Sequence, residues 1–149
     1  MPSKLPLATL TDLARSRTDE AARRLGELTA MRENAGQQLE MLRTYRHDYL
    51  ERLQAALRLG LSAADCHNYQ RFIATLDDAI EQQRAVLGQA DSQLATGREQ
   101  WRDAKRKQNS FDALVTRDAR RQAVLDARQD QRATDENSAR LVRRQTELH

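Results

Sequence analysis

Residues 38–83 read QLEMLRTYRHDYLERLQAALRLGLSAADCHNYQRFIATLDDAIEQQ, and the break inside that stretch decides the fold. Before it, Gln38, Leu42, Tyr45 and Tyr49 step by four, three and four; after it, Phe72, Leu76, Ala79 and Gln83 repeat the same steps. Such spacing keeps one face of an α-helix on each side. Between the two runs, Leu59-Gly60 places a glycine just past the last apolar position, where a left-handed residue ends a helix without steric penalty. Ser62 follows as an N-cap, with Asp65 three residues on in the place of a capping-box acid. One helix is therefore predicted to stop at Gly60 and another to start at Ser62. With so short a connection they fold back as antiparallel neighbours. Opposed residues then have numbers adding to about 121 or 122, which sets Tyr49 level with Phe72 and Leu42 with Ala79.

Working outward, a seven-residue repeat holds through Leu7, Ala14, Ala21, Leu28, Ala35, Leu42, Tyr49 and Ala56, with companions drifting between three and four residues on at Leu10, Leu25, Met31, Leu39 and Leu53. The second arm carries the same habit from Tyr69 and Ile73 through Leu76, Ile80, Leu87 and Leu94 to Trp101, Ala104, Phe111 and Val115. Heptads of this kind mark coiled-coil helices. The first arm would extend roughly 80 Å at 1.5 Å per residue. Composition agrees. Of 149 residues 39% are hydrophobic and 4% aromatic against 32% charged, and the mean hydropathy is −0.85. That is too little apolar material for a round core but enough for a seam between two helices. Both prolines, Pro2 and Pro6, lie where they cannot interrupt a helix. The fold class expected is all-α, a long two-helix antiparallel coiled-coil hairpin forming one domain over 1–149: helix one about 7–59, hinge 60–61, helix two about 62–115, and a charged helical extension over 116–149.

The antiparallel register pairs Trp101 with Ala21 and Ala22, and brings Gly26 nearly level with Gly97, a large-against-small arrangement in which both glycines act as packing residues. It also ends the pairing, because Leu7 reaches only to about Val115. Beyond that point Val124, Leu125, Leu141 and Val142 are scattered among Arg, Asp, Gln and Ala with no continuous apolar stripe. The extension should be exposed, or ordered only against something else.

The charge of +3 is the remainder of 25 basic and 22 acidic residues, spread as +2 over 1–61, −1 over 62–115 and +2 over 116–149. No nucleic-acid footprint shows in that balance. A single cysteine, Cys66, excludes an internal disulfide. No run of 18 apolar residues and no basic-then-apolar leader occurs, so no membrane insertion is expected and a cytoplasmic protein is. Nor is there a phosphate loop, a paired Cys-x-x-Cys or a His-Glu-x-x-His. Asp65, Cys66 and His67 invite a metal reading, but adjacent helical residues point about 100° apart and cannot share an ion. No catalytic residue, cofactor or metal is predicted, and the chain is read as a non-enzyme.

The aromatic stripe admits two readings. Tyr45, Tyr49, Tyr69 and Phe72 at helical spacing can be ordinary seam residues. Yet Leu39, Leu50, Leu53, Leu57, Tyr69, Ile73 and Ile80 already furnish a seam, and two helices cannot bury two adjacent stripes completely against each other. On the second reading Tyr45 and Phe72 stay partly exposed, and grouped exposed aromatics form a binding surface.

The order Leu7-Ala8-Thr9-Leu10, Asp19-Glu20-Ala21-Ala22-Arg23-Arg24-Leu25 and Gln37-Gln38-Leu39, with Tyr45 to Tyr49, resembles the flagellar type III export protein FliJ family. In the second arm the resemblance runs through Gly60-Leu61-Ser62-Ala63-Ala64, Asn68-Tyr69-Gln70-Arg71-Phe72 and Leu76-Asp77-Asp78-Ala79-Ile80-Glu81-Gln82-Gln83, covering most of 5–106. It implies a non-enzymatic, central-stalk-like coiled coil on the cytoplasmic face of the membrane. In that role the joined termini enter the hexameric export ATPase FliI, the hinge-proximal half engages the export gate protein FlhA, and the protein assists export chaperones. Carried over to this chain, the gate-binding residues are Gln38, Leu42, Tyr45, Tyr49, Phe72, Leu76 and Ala79; for the ATPase, the unpartnered charged extension past Val115 offers Arg117, Arg120, Arg121, Arg128 and Arg132. Where the family pattern can carry a histidine at the end of the second stripe, this chain has Gln83. Alternative readings are the stalk of a virulence type III injectisome, a basic coiled coil that binds nucleic acid, which the interspersed acids oppose, and a spacer without any patch.

Overall fold

The computed structural model describes residues 6–148. It is all-α: helix α1 spans Leu7–Leu59 and helix α2 spans Ala63–Glu147, packed antiparallel as a hairpin. The punctuation between them follows from two residues. Gly60 takes φ 86°, the left-handed conformation that an L side chain resists, and its N–H donates to the Leu57 carbonyl at 3.3 Å. Ser62 caps α2 twice over: its hydroxyl accepts from the Asp65 N–H at 3.1 Å and its carbonyl accepts from the Cys66 N–H at 3.0 Å. At the other end, Pro6 supplies the carbonyl that accepts the first bond of α1, from the Leu10 N–H.

The chain divides into two compact units, one made of Arg17–Ala104 and the other of the residues up to Ser16 with those from Lys105 onward. Within the Arg17–Ala104 unit, Leu28, Ala35 and Leu39 of α1 are buried against Ile73, Leu76, Ile80, Ala90, Leu94 and Gly97 of α2. Cross-helix bonds define the register. Arg32 pairs with Asp91 at 2.8 Å and Arg46 with Asp77, both adding to 123, while Tyr49 meets Phe72 at a sum of 121. A side chain added at Gly97 would meet Leu25, at a sum of 122, and Leu28. This register sets Trp101 level with Ala21. Both are half-buried, whereas Ala22 is exposed and turned away from the seam.

Two details of the packing differ from the heptads read off the sequence. Four residues on from the heptad positions of α1, Thr11, Thr18, Leu25 and Leu39 are all buried or half-buried, and Leu10, three on from Leu7, is half-buried too, while Met31 is 51% exposed. The Thr11 hydroxyl donates to the Leu7 carbonyl at 2.9 Å, so its polarity does not expel it from a buried position. The glycines also part company. A Cβ at Gly97 would stand 2.6 Å from Leu28 Cδ1, but one at Gly26 would meet nothing within 4 Å, so only Gly97 is a packing residue.

In the other unit, Leu7, Ala8, Thr11, Asp12 and Arg15 share a groove with Val115, Asp118, Ala119 and Gln122, and Arg15 reaches Asp112 at 3.5 Å. The groove thus takes in three residues beyond Val115. From Ala113 to Glu147 every residue of α2 is exposed.

Candidate binding surface beside the turn

The two four-three-four stripes and the seam are different lines on the same helices, and they cross. On α1 the seam passes through Leu39, Leu42, Arg46 and Tyr49, so it shares Leu42 and Tyr49 with the stripe; on α2 it passes through Ile73, Leu76, Ile80 and Gln83, sharing Leu76 and Gln83. The shared residues turn inward. Leu76 is only 7% exposed, Leu42 and Tyr49 are half-buried, and the Gln83 amide donates to the Ala35 carbonyl at 3.0 Å. Of the unshared ones three turn outward, Tyr45 at 51% and Phe72 at 41% exposure and the exposed Gln38, while Ala79 is half-buried. Leu76 is thus turned into the seam, because a helix rotates the stripe inward at that step.

Tyr49 links seam and surface. Its ring stacks on Phe72 with centroids 4.2 Å apart and 28° between planes, lies tilted against Tyr69 at 6.2 Å, and carries the Arg52 guanidinium 5.4 Å from its centroid. Offset stacking and a cation over the ring each add to what burial supplies, by about 0.5–1.5 kcal/mol for an aromatic pair. Phe72 is thus exposed yet fixed from below. Next to the turn, Tyr49, Tyr69 and Phe72 line a shallow groove with Leu61, Arg52, Asp65 and Asn68. Sequence reading missed that polar rim. Its signal was present in the steps of three and four from Asp65 to Asn68 to Phe72 and of three from Tyr49 to Arg52, but an apolar count passes over them.

In the unit holding the termini, Arg117, Arg120, Arg121, Arg128 and Arg132 are all exposed. Steps of four, seven and four connect Arg117, Arg121, Arg128 and Arg132, which puts these guanidinium groups on one side of α2. Among the described residues, no three His, Cys, Asp or Glu side chains converge where an ion could bind, and Cys66 is half-buried in the seam. No helix of the described residues is long and apolar enough to cross a membrane.

Comparison with known proteins agrees with this architecture. A family model described as Flagellar FliJ protein matches residues 3–147. The chain is similar to the flagellar FliJ protein of Salmonella typhi, 35% identical over 141 residues that span 95% of this chain and 96% of the relative. It is likewise similar to that of Escherichia coli strain K12, 34% identical over 141 residues with the same coverage. A match over nearly the whole length, on a two-helix hairpin whose aromatic face sits beside the turn, places this chain in the FliJ family, the non-enzymatic components of flagellar protein export.

Proposed function

We propose that this chain is a central-stalk-like coupling protein of the flagellar export apparatus, joining the export ATPase ring of FliI to the export gate protein FlhA and assisting export chaperones. It works in the cytoplasm, held at the membrane periphery through the apparatus. The observation that carries the gate assignment is the exposed pair Tyr45 and Phe72, with Phe72 stacked on the half-buried Tyr49. An aromatic that is exposed but fixed has already lost its rotamer freedom, so a partner gains its burial at little ordering cost. Gln38 and Ala79 extend that face, while Leu42 and Leu76 support it from the seam. The arginines from Arg117 to Arg132 suit the ATPase role, since exposed cations on one helix side steer a helix toward an acidic lining.

The test replaces Tyr45 and Phe72 together by alanine in a strain lacking its own copy. Capture by the FlhA cytoplasmic domain and swimming should both be lost, while the melting temperature falls by only a few degrees. Retained capture with normal swimming sinks the gate assignment. For the ATPase end, Arg117→Ala with Arg121→Ala and Arg128→Ala should reduce stimulation of FliI hydrolysis without changing FlhA capture; undiminished stimulation removes that assignment alone.

A further inference from the structure

The extension of α2 lacks a continuous apolar stripe but has an uncharged one. From Val124 through Ala127, Gln131, Thr134 and Ser138 to Leu141 the steps are three, four, three, four and three, a heptad line. Nine of the 24 residues from 122 to 145 are charged and none of them falls on it. This line does not continue the seam of the hairpin. Val115 to Val124 is nine residues, about two and a half turns at 3.6 residues per turn, so the line lies on the far side of α2 from Val115. Its residues are exposed, Val124 at 51% and Leu141 at 61%. A heptad line cleared of charge and turned away from α1 is built for another helix.

We propose that the other helix is the same segment of a second copy of this chain, running antiparallel about an axis between Arg132 and Ala133. Only the self-pairing in which opposed numbers add to 265 matches the line at every layer. It sets Val124 against Leu141, Ala127 against Ser138 and Gln131 against Thr134, each layer occurring twice by symmetry. The flanks agree. In an antiparallel pair like flanks meet, which brings Arg128 of each copy beside Asp135 of the other and Asp130 beside Asn137, with no like charges opposed. Asp135 accepts the Gln131 amide at 3.2 Å within its own helix through one oxygen, leaving the second for the guanidinium. In the dimer Arg121 and Arg128 border the interface, so this helix cannot present them to another partner at the same time. The pairing does not rest on the export reading above.

Sedimentation of the full chain through the submillimolar range tests it, together with distances between spin labels placed at Ala113→Cys or Ala133→Cys in a Cys66→Ser background. Reversible dimers are expected. Labels at 133 should lie close, and labels at 113 should lie roughly 60 Å apart, 39 residues along the helix at 1.5 Å each. Val124→Asp with Leu141→Asp should abolish the dimer with helix content unchanged. Arg128→Asp alone should weaken it about fivefold, and adding Asp135→Arg should restore it, as two exposed ion pairs allow. A chain that stays monomeric throughout, a dimer with short distances at both labels, or a dimer indifferent to the Val124 and Leu141 changes overturns the proposal.

Discussion

Tyr49 lies against Phe72 with ring centroids 4.2 Å apart, and of the two only Phe72 is exposed. The half-buried ring holds the presented one, so the two residues answer differently to truncation. Tyr49→Ala should destabilise the hairpin by about 3 kcal/mol, near the lower end for losing a buried aromatic, and Phe72→Ala by about 1 kcal/mol. Urea unfolding of the two variants measures this. Equal losses would mean that Phe72 is core and not surface.

Gly26 and Gly97 nearly share a level yet should behave oppositely. Alanine at Gly26 meets no atom and should stabilise by about 1 kcal/mol through helix propensity. At Gly97 the new methyl group would stand 2.6 Å from Leu28 Cδ1, so this side chain, only 4% exposed, must shift within the seam to admit it. Overpacking by about 1–3 kcal/mol should exceed the propensity gain. Thermal melts would show Gly26→Ala above and Gly97→Ala below the parent chain; a Gly97→Ala protein as stable as Gly26→Ala refutes the close approach.

Gln83 occupies a seam position and donates to a carbonyl that α1 already uses in its own helical bonding. Gln83→Ala should cost about 1 kcal/mol, the net worth of one such bond. Gln83→Leu should be neutral or stabilising, because an apolar side chain of similar size recovers by burial what the bond supplied. Chemical denaturation decides, and a loss above about 3 kcal/mol for Gln83→Leu would mean that the amide is indispensable to the register.

The cross-helix pairs of Arg32 with Asp91 and Arg46 with Asp77 are part-exposed, so a double-mutant cycle on either should give coupling of about 0.2–1 kcal/mol that shrinks with salt. Their effect is on alignment more than on stability. Coupling that survives molar salt would show the pairs to be shielded.

Truncation separates the two units. A chain ending at Val115 loses Asp118, Ala119 and Gln122 from the groove they share with the first turns of α1. Hydrogen exchange should then quicken over about residues 7–15 while the Arg17–Ala104 unit keeps its protection. Ending at Gln122 should leave both unchanged, and faster exchange throughout would contradict a separate unit.

The helices, the turn and the register were determined by local chemistry. Gly60 and Ser62 punctuate because one needs no Cβ clearance and the other carries its own acceptor, and the heptads give each arm an apolar face for the other. The two-stripe reading also foresaw that Tyr45 and Phe72 stay outside. Which stripe residues face outward was decided only when the helices met. Leu76 and Gln83 look like surface by spacing, yet each lies where the stripe crosses the seam, and the crossing depends on how each helix is rotated against its neighbour. The same holds for Thr11 and Thr18, polar by name yet buried, and for Gly97, whose close neighbour is Leu28 on the opposite helix. Spacing within one helix sets where a side chain points; what it meets there is a property of the pair.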